Sequence, residues 1–125
     1  MKNVISASGA PAAIGPYSHA ISVDGFLFTS GQIPLDPATG KLAGDTIEVQ
    51  TEQVLKNLEA VLAANDMSFE NVIKTTVFLA DLADFATVNS IYATRFTAAP
   101  PARSCVQIAG LPGGAKIEIE MVAHK

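Results

Sequence analysis

The chain ends on the run "PPARSCVQIAGLPGGAKIEIEMVAHK", where four side chains able to do chemistry sit among apolar ones. Arg103 and Cys105, the one cysteine of the chain, lie two residues apart. After a Gly/Pro-rich turn, Glu118 and Glu120 repeat that spacing. An arginine beside a small residue and a carboxylate can hold an anionic ligand through two parallel hydrogen bonds, while an acid handles a proton or a water. The same residues also fit solvated faces of an exposed sheet, whose cross-strand ion pairs contribute little. Cys105 suits an inert small hydrophobe. A thiol nucleophile needs a base in reach, and no Cys/His arrangement is visible.

Other candidates lie upstream. "GPYSHA" (15–20) is a turn and a strand start carrying Tyr17 and His19. "FTSGQIP" (28–34) contains Ser30 and Gly31. A glycine inside a strand pattern signals a bulge or a close approach of the backbone to something else. Asn89 is a polar residue beside an apolar helical stripe. Each has an ordinary structural reading: a surface-lining ring, a bulge, a boundary residue.

The elements that must position these residues follow from periodicity. Runs 18–23 and 26–32 are β-like, and Asp24-Gly25 between them suits a type I′ hairpin turn. Segment 45–66 is the clearest helix, with Asp45 and Glu48 in capping-box spacing and Ile47, Val54, Leu58, Val61 and Leu62 on one face. Segment 71–82 is rich in β-branched residues and reads as a strand. Segment 84–96 reads as a second amphipathic helix, capped by Asp84 and striped by Phe85, Val88, Ile91, Tyr92 and Phe96; Pro100 and Pro101 end it. Segments 102–108 and 116–123 read as strands. The order is β-β-α-β-α-β-β, with room for a short leading strand. It predicts a single α/β (α+β) domain over 1–125, in which a mixed sheet packs one face on two helices. Something must cover the other face, and a second subunit is the natural candidate.

Alternation places Arg103, Cys105 and Gln107 on one face of their strand and Ser104, Val106 and Ile108 on the other. In the last strand Lys116, Glu118 and Glu120 share a face, opposite Ile117, Ile119 and Met121 on the core side. If the two strands pair through "AGLPGG", the arginine-bearing and carboxylate-bearing faces become neighbours; sequence does not set that register.

Composition narrows the class. Hydrophobic residues make up 49% of 125 and charged ones 16%, with a net charge of -4. Few charges on a small apolar chain point to buried surface in an oligomer. Without a basic cluster, a nucleic-acid partner is not expected. A lone cysteine fits a reducing compartment, and no stretch approaches the roughly 18 apolar residues of a membrane span, so a soluble cytoplasmic protein is expected. Two histidines and one cysteine offer no metal site at a recognised spacing.

The segments "GPYSHA", "FTSGQIPLDPATG", "QTEQVLKNLEAVL", "VIKTTVFLADLADFATVN" and "PPARSCVQIAGLPGGAKIEIE" resemble, in order and spacing, the Rid/YjgF family, and within it the RidA-type enamine/imine deaminases. The resemblance covers nearly the whole chain. It implies a chorismate-mutase-like fold, a barrel-like homotrimer and ligand clefts between adjacent subunits. It implies hydrolysis of 2-imino and enamine acids (2-aminoacrylate/2-iminopropanoate, 2-iminobutanoate) to 2-keto acids and ammonia, as metabolite damage control, without a cofactor. These intermediates come from pyridoxal-phosphate enzymes such as serine/threonine dehydratases. Carried over residue by residue, Arg103 pairs with the substrate carboxylate, Glu120 positions or activates the water, and Tyr17 shares the pocket. Ser30, Gly31 and Asn89 line it, and the Cys105 backbone orients the substrate nitrogen. Glu118 takes a structural or interface role. His19 is a departure, since the family commonly has glutamine there. The alternative is a keto- or imino-acid-binding regulatory trimer, or a structural trimer with a vestigial cleft.

Overall fold

The structure, a computed structural model, describes residues 1–125. The elements are β1 (Asn3–Ile5), β2 (Ala20–Val23), β3 (Phe26–Thr29), α1 (Ile47–Ala63), β4 (Val72–Leu79), α2 (Phe85–Tyr92), β5 (Ala102–Gln107) and β6 (Ile117–His124). This is the expected order, with the short leading strand present. Asp24 and Gly25 both have positive φ, 51° and 82°, so β2 and β3 form the tight hairpin that the dipeptide requires.

Local chemistry moved several boundaries. Thr46, not Asp45, caps α1: its extended backbone lets the hydroxyl accept from Val49 N, and Glu48 joins the first turn without closing a capping box. Asp84 occupies the cap position of α2 but makes no side-chain cap bond. Asp81 instead accepts from Ala83 N and caps the 3-10 turn that leads into the helix. α2 stops at Tyr92, because Thr94 N and Arg95 N turn to carbonyls three residues back and the Thr94 hydroxyl also takes the Ile91 carbonyl.

The six strands form one mixed sheet in the order β1-β2-β3-β6-β4-β5. β4 runs parallel to β5 and antiparallel to β6. The hairpin considered for the last two strands is therefore absent, since β4 lies between them. Thr75, Val77 and Leu79 align with Met121, Ile119 and Ile117 on the side facing α1. There they meet Leu55, Leu58 and Leu62, all fully buried. Burial of each such side chain contributes about 1.5–3 kcal/mol. The other sheet face carries no helix, and Phe28, Val106 and Val4 on it are 46%, 43% and 60% exposed. No helix is long and apolar enough to cross a membrane.

Candidate active site

The run expected as strand 26–32 breaks after Thr29. Gln32 alone rejoins the sheet, exchanging backbone hydrogen bonds with Ile119 at 2.8 and 3.2 Å. This pins Gly31 against β6, and a Cβ there would run into the Glu118 carboxylate. Ser30 is fixed too: its hydroxyl donates to the Ser18 carbonyl at 2.7 Å. Tyr17 stands beside them, its hydroxyl accepting from Ile14 N at 3.4 Å. Ile14, Tyr17, Ser30, Gly31, Ile33, Pro112 and Glu118 line one hollow of about 360 Å³.

The acid in this hollow is Glu118. Burial pushes its carboxyl above the usual range, and the neighbouring Glu120 charge adds to the effect. Glu120 is exposed, lies one pleat further along the same face, and does not line the hollow. The resemblance gives the water-handling role to Glu120 and a structural or interface role to Glu118; within one chain it is Glu118 that lines this hollow.

Arg103 occupies a second hollow, of about 430 Å³, with Asn89, Tyr92, Ala93, Phe96, Pro100 and Pro101. Asn89 accepts from Arg103 Nη1 at 2.8 Å. The guanidinium carbon lies 4.9 Å from the Tyr92 ring centroid and 5.4 Å from that of Phe85, both within cation–π range. Phe85, Asn89 and Tyr92 fall at i, i+4 and i+7 of α2, one face of the helix. Sequence reasoning took the two aromatics for core alone; the polar Asn89 between them was the available signal. The Tyr92 hydroxyl bonds Thr75 Oγ1 at 2.7 Å. Burial raises the Tyr92 pKa, against the Thr75 bond and the Arg103 charge, so the phenol stays neutral. Arg103 has no carboxylate partner in the chain, whose one ion pair is Arg95–Glu52 at 2.7 Å.

Cys105 follows Arg103 on the same face and packs against the core. Burial pushes its thiol up, with Arg103 opposing, which disfavours a thiolate. His19 is 8% exposed and lines neither hollow. Its Nδ1 accepts from Ala7 N at 2.9 Å, and its Nε2 donates to the Pro11 carbonyl at 2.7 Å. Nowhere do three His, Cys, Asp or Glu side chains gather closely enough to hold a metal ion.

The structure thus brings Arg103, Asn89 and Cys105 together, and separately Tyr17, Ser30 and Gly31 with Glu118. The two groups lie on opposite faces of the sheet. Arg103 aligns with Thr75 and Met121 on the helix side, whereas Glu118 aligns with Phe78 and Val106 on the open side.

A mixed sheet with two helices on one face, a guanidinium at its edge and an acid-lined hollow on its open side places the chain in the α+β class of the Rid proteins. The chain belongs to the Rid/YjgF family: the family model described as endoribonuclease L-PSP matches residues 7–125. It is 54% identical over 122 residues to Reactive Intermediate Deaminase A, chloroplastic, of Arabidopsis thaliana, covering 98% of this chain and 65% of that protein's length. It is 50% identical over 123 residues to the 2-iminobutanoate/2-iminopropanoate deaminase of Mus musculus, covering 98% of this chain and 91% of the relative. A crystal structure of a Rid-family protein of unknown function from Yersinia pestis superposes with a TM-score of 0.97 at 47% identity, over 100% of both chains.

Proposed function

We propose that this chain is an imine deaminase that adds water to reactive 2-imino acids and releases 2-keto acids and ammonia. The names of its relatives support imine deaminase activity. The observation that carries the reading is the half-buried Arg103 guanidinium, held by Asn89 and two rings and matched with no carboxylate. Asn89 and the rings offset part of the cost of holding this cation in one geometry, and an incoming carboxylate would supply the missing counter-charge.

The substrates are 2-iminopropanoate, with its enamine form 2-aminoacrylate, and 2-iminobutanoate. Arg103 binds the carboxylate through the N–H groups that Asn89 leaves free. The Cys105 backbone orients the substrate nitrogen. A protonated imine carbon is already electrophilic, so the remaining task is to place one water and move protons. Glu118 does this, with Tyr17 beside it and Ser30 and Gly31 as wall. The water oxygen bonds to the imine carbon; its protons pass by way of the carboxyl to the nitrogen. The C–N bond breaks to leave the C=O of the keto acid and ammonia, released as ammonium because it carries the proton of the protonated imine. Glu120 acts through its charge on Glu118.

Arg103 and Glu118 meet one substrate only if a second copy supplies one of them. The helix-free sheet face, with Phe28 and Val106 exposed, supplies the surface for such an assembly. We therefore place the site at the boundary between subunits of a homotrimer.

The test is to generate 2-aminoacrylate or 2-iminobutanoate with a dehydratase and follow keto-acid release with and without this protein. Acceleration that disappears in Arg103→Ala is expected. No acceleration by the unmodified chain would sink the enzyme reading, while carboxylate binding without it would leave the regulatory one.

A further inference from the structure

We infer that Tyr92, tied to the sheet by Thr75, is a positioning residue for Arg103. The inference rests on the reading of Arg103 as a carboxylate clamp. Thr75 and Arg103 are direct neighbours across the parallel β4–β5 ladder. The Tyr92 hydroxyl reaches down from α2 to Thr75 Oγ1 at 2.7 Å, while its ring lies 4.9 Å from the guanidinium carbon. Helix, ring and sheet thus close a triangle around the cation. Asn89 fixes one guanidinium nitrogen. One hydrogen bond leaves the guanidinium plane free to swing about it, and the ring removes that freedom.

Thr75 is fully buried and lines no hollow, so it can act only through Tyr92, whose largely buried ring borders the Arg103 hollow. An aliphatic residue at 75 would fill the core equally well. A hydroxyl there serves the phenol. The chemical consequence is selective: loosening the platform weakens recognition of the carboxylate, and leaves recognition of the rest of the substrate alone.

Thr75→Val keeps the volume and removes the tether; Thr75→Ser restores a hydroxyl. Tyr92→Leu removes the ring. Calorimetry reads the binding of 2-oxobutanoate, a stable carboxylate mimic, beside its neutral methyl ester. Loss of one hydrogen bond predicts about fivefold weaker binding of the acid to Thr75→Val, with Thr75→Ser near the unmodified protein. Loss of the cation–π contact predicts roughly 10-fold or more for Tyr92→Leu. Ester binding stays the same throughout. Thr75→Val has no further effect in an Arg103→Ala background. In the imine assay the change falls on KM and spares kcat.

Folded Thr75→Val that binds the acid as the unmodified protein does, or loses acid and ester alike, overturns the inference. So does a failure of the unmodified protein to prefer acid over ester, which would also remove the clamp reading. Carboxylate binding with the expected pattern but no imine hydrolysis would uphold the platform and sink only the enzyme.

Discussion

Arg103 and Glu118 project from opposite faces of one sheet, on strands separated by β4. No rotamer change brings them to a shared small substrate within one chain. Subunit mixing turns this into a measurement. Arg103→Ala and Glu118→Gln should each be inactive alone. When the two are unfolded together and reassembled, random mixing in a closed ring of subunits restores about one quarter of the boundary sites. Keto-acid release at about that fraction of the unmodified rate is expected. No recovery from verified mixed assemblies would place both residues in the same copy's site.

Arg103→Lys tests the clamp. Lysine keeps the charge but loses the planar fork and much of the stacking on Tyr92. We expect kcat/KM for 2-iminobutanoate to fall about 100-fold or more, near the value for Arg103→Ala, with unchanged thermal unfolding. Activity within about threefold of the unmodified protein would mean that charge alone suffices.

Much of this architecture was legible from alternation and helical spacing. Asp24-Gly25 announced its hairpin, and Ile117, Ile119 and Met121 announced the core side of β6. Gly31 announced a close approach, and Glu118 is what approaches. What sequence left open was non-local. Insertion of β4 between β5 and β6 is a pairing choice that alternation along one strand does not encode. Hence the faces of Arg103 and Glu118 could not be assigned relative to each other. That Glu118 rather than Glu120 faces Gly31 follows from the Gln32–Ile119 bridge, which decides the strand position that Gly31 meets.

Glu118→Gln and Glu120→Gln separate the two acids. Glu118 lines the hollow with Tyr17 and Glu120 does not. We expect kcat to fall about 100-fold or more in Glu118→Gln, the scale of a lost general acid–base group. Glu120→Gln should keep at least about a tenth of kcat, because Glu120 lies outside the hollow and its charge only adds to the rise that burial imposes on the Glu118 carboxyl. The opposite order in steady-state rates would return the acid's role to Glu120.

The raised Glu118 carboxyl also has a stability signature. The folded state holds this proton more tightly than the unfolded chain does. Below about pH 4.3, the unperturbed glutamate value, both states are protonated and the group is neutral in the balance. As pH rises from there through the folded value, the unfolded chain ionises first and stability is lost. Glu118→Gln should therefore melt higher than the unmodified protein at pH 7.5, with the gap closing toward pH 4. A gap that widens on acidification would mean that the native site favours the charged form.

His19 completes the framework by holding the arm that carries Ile14 and Tyr17 into the hollow. Its ring accepts from Ala7 N and donates to the Pro11 carbonyl, twelve and eight residues upstream. A glutamine side chain has one acceptor and one donor at similar reach. The pairing accounts physically for imidazole at a position where the family commonly has an amide. His19→Gln should therefore unfold within about 1 kcal/mol of the unmodified protein. His19→Leu leaves a backbone N–H and a carbonyl without partners and should cost about 1–3 kcal/mol. Because the arm positions Tyr17, His19→Leu should also lower kcat/KM while sparing the Arg103 half of the site. Denaturant unfolding reads the first effect and steady-state imine hydrolysis the second, while unchanged 2-oxobutanoate binding shows the Arg103 half spared. Equal stability of the leucine and glutamine variants would show that the arm is held by packing alone.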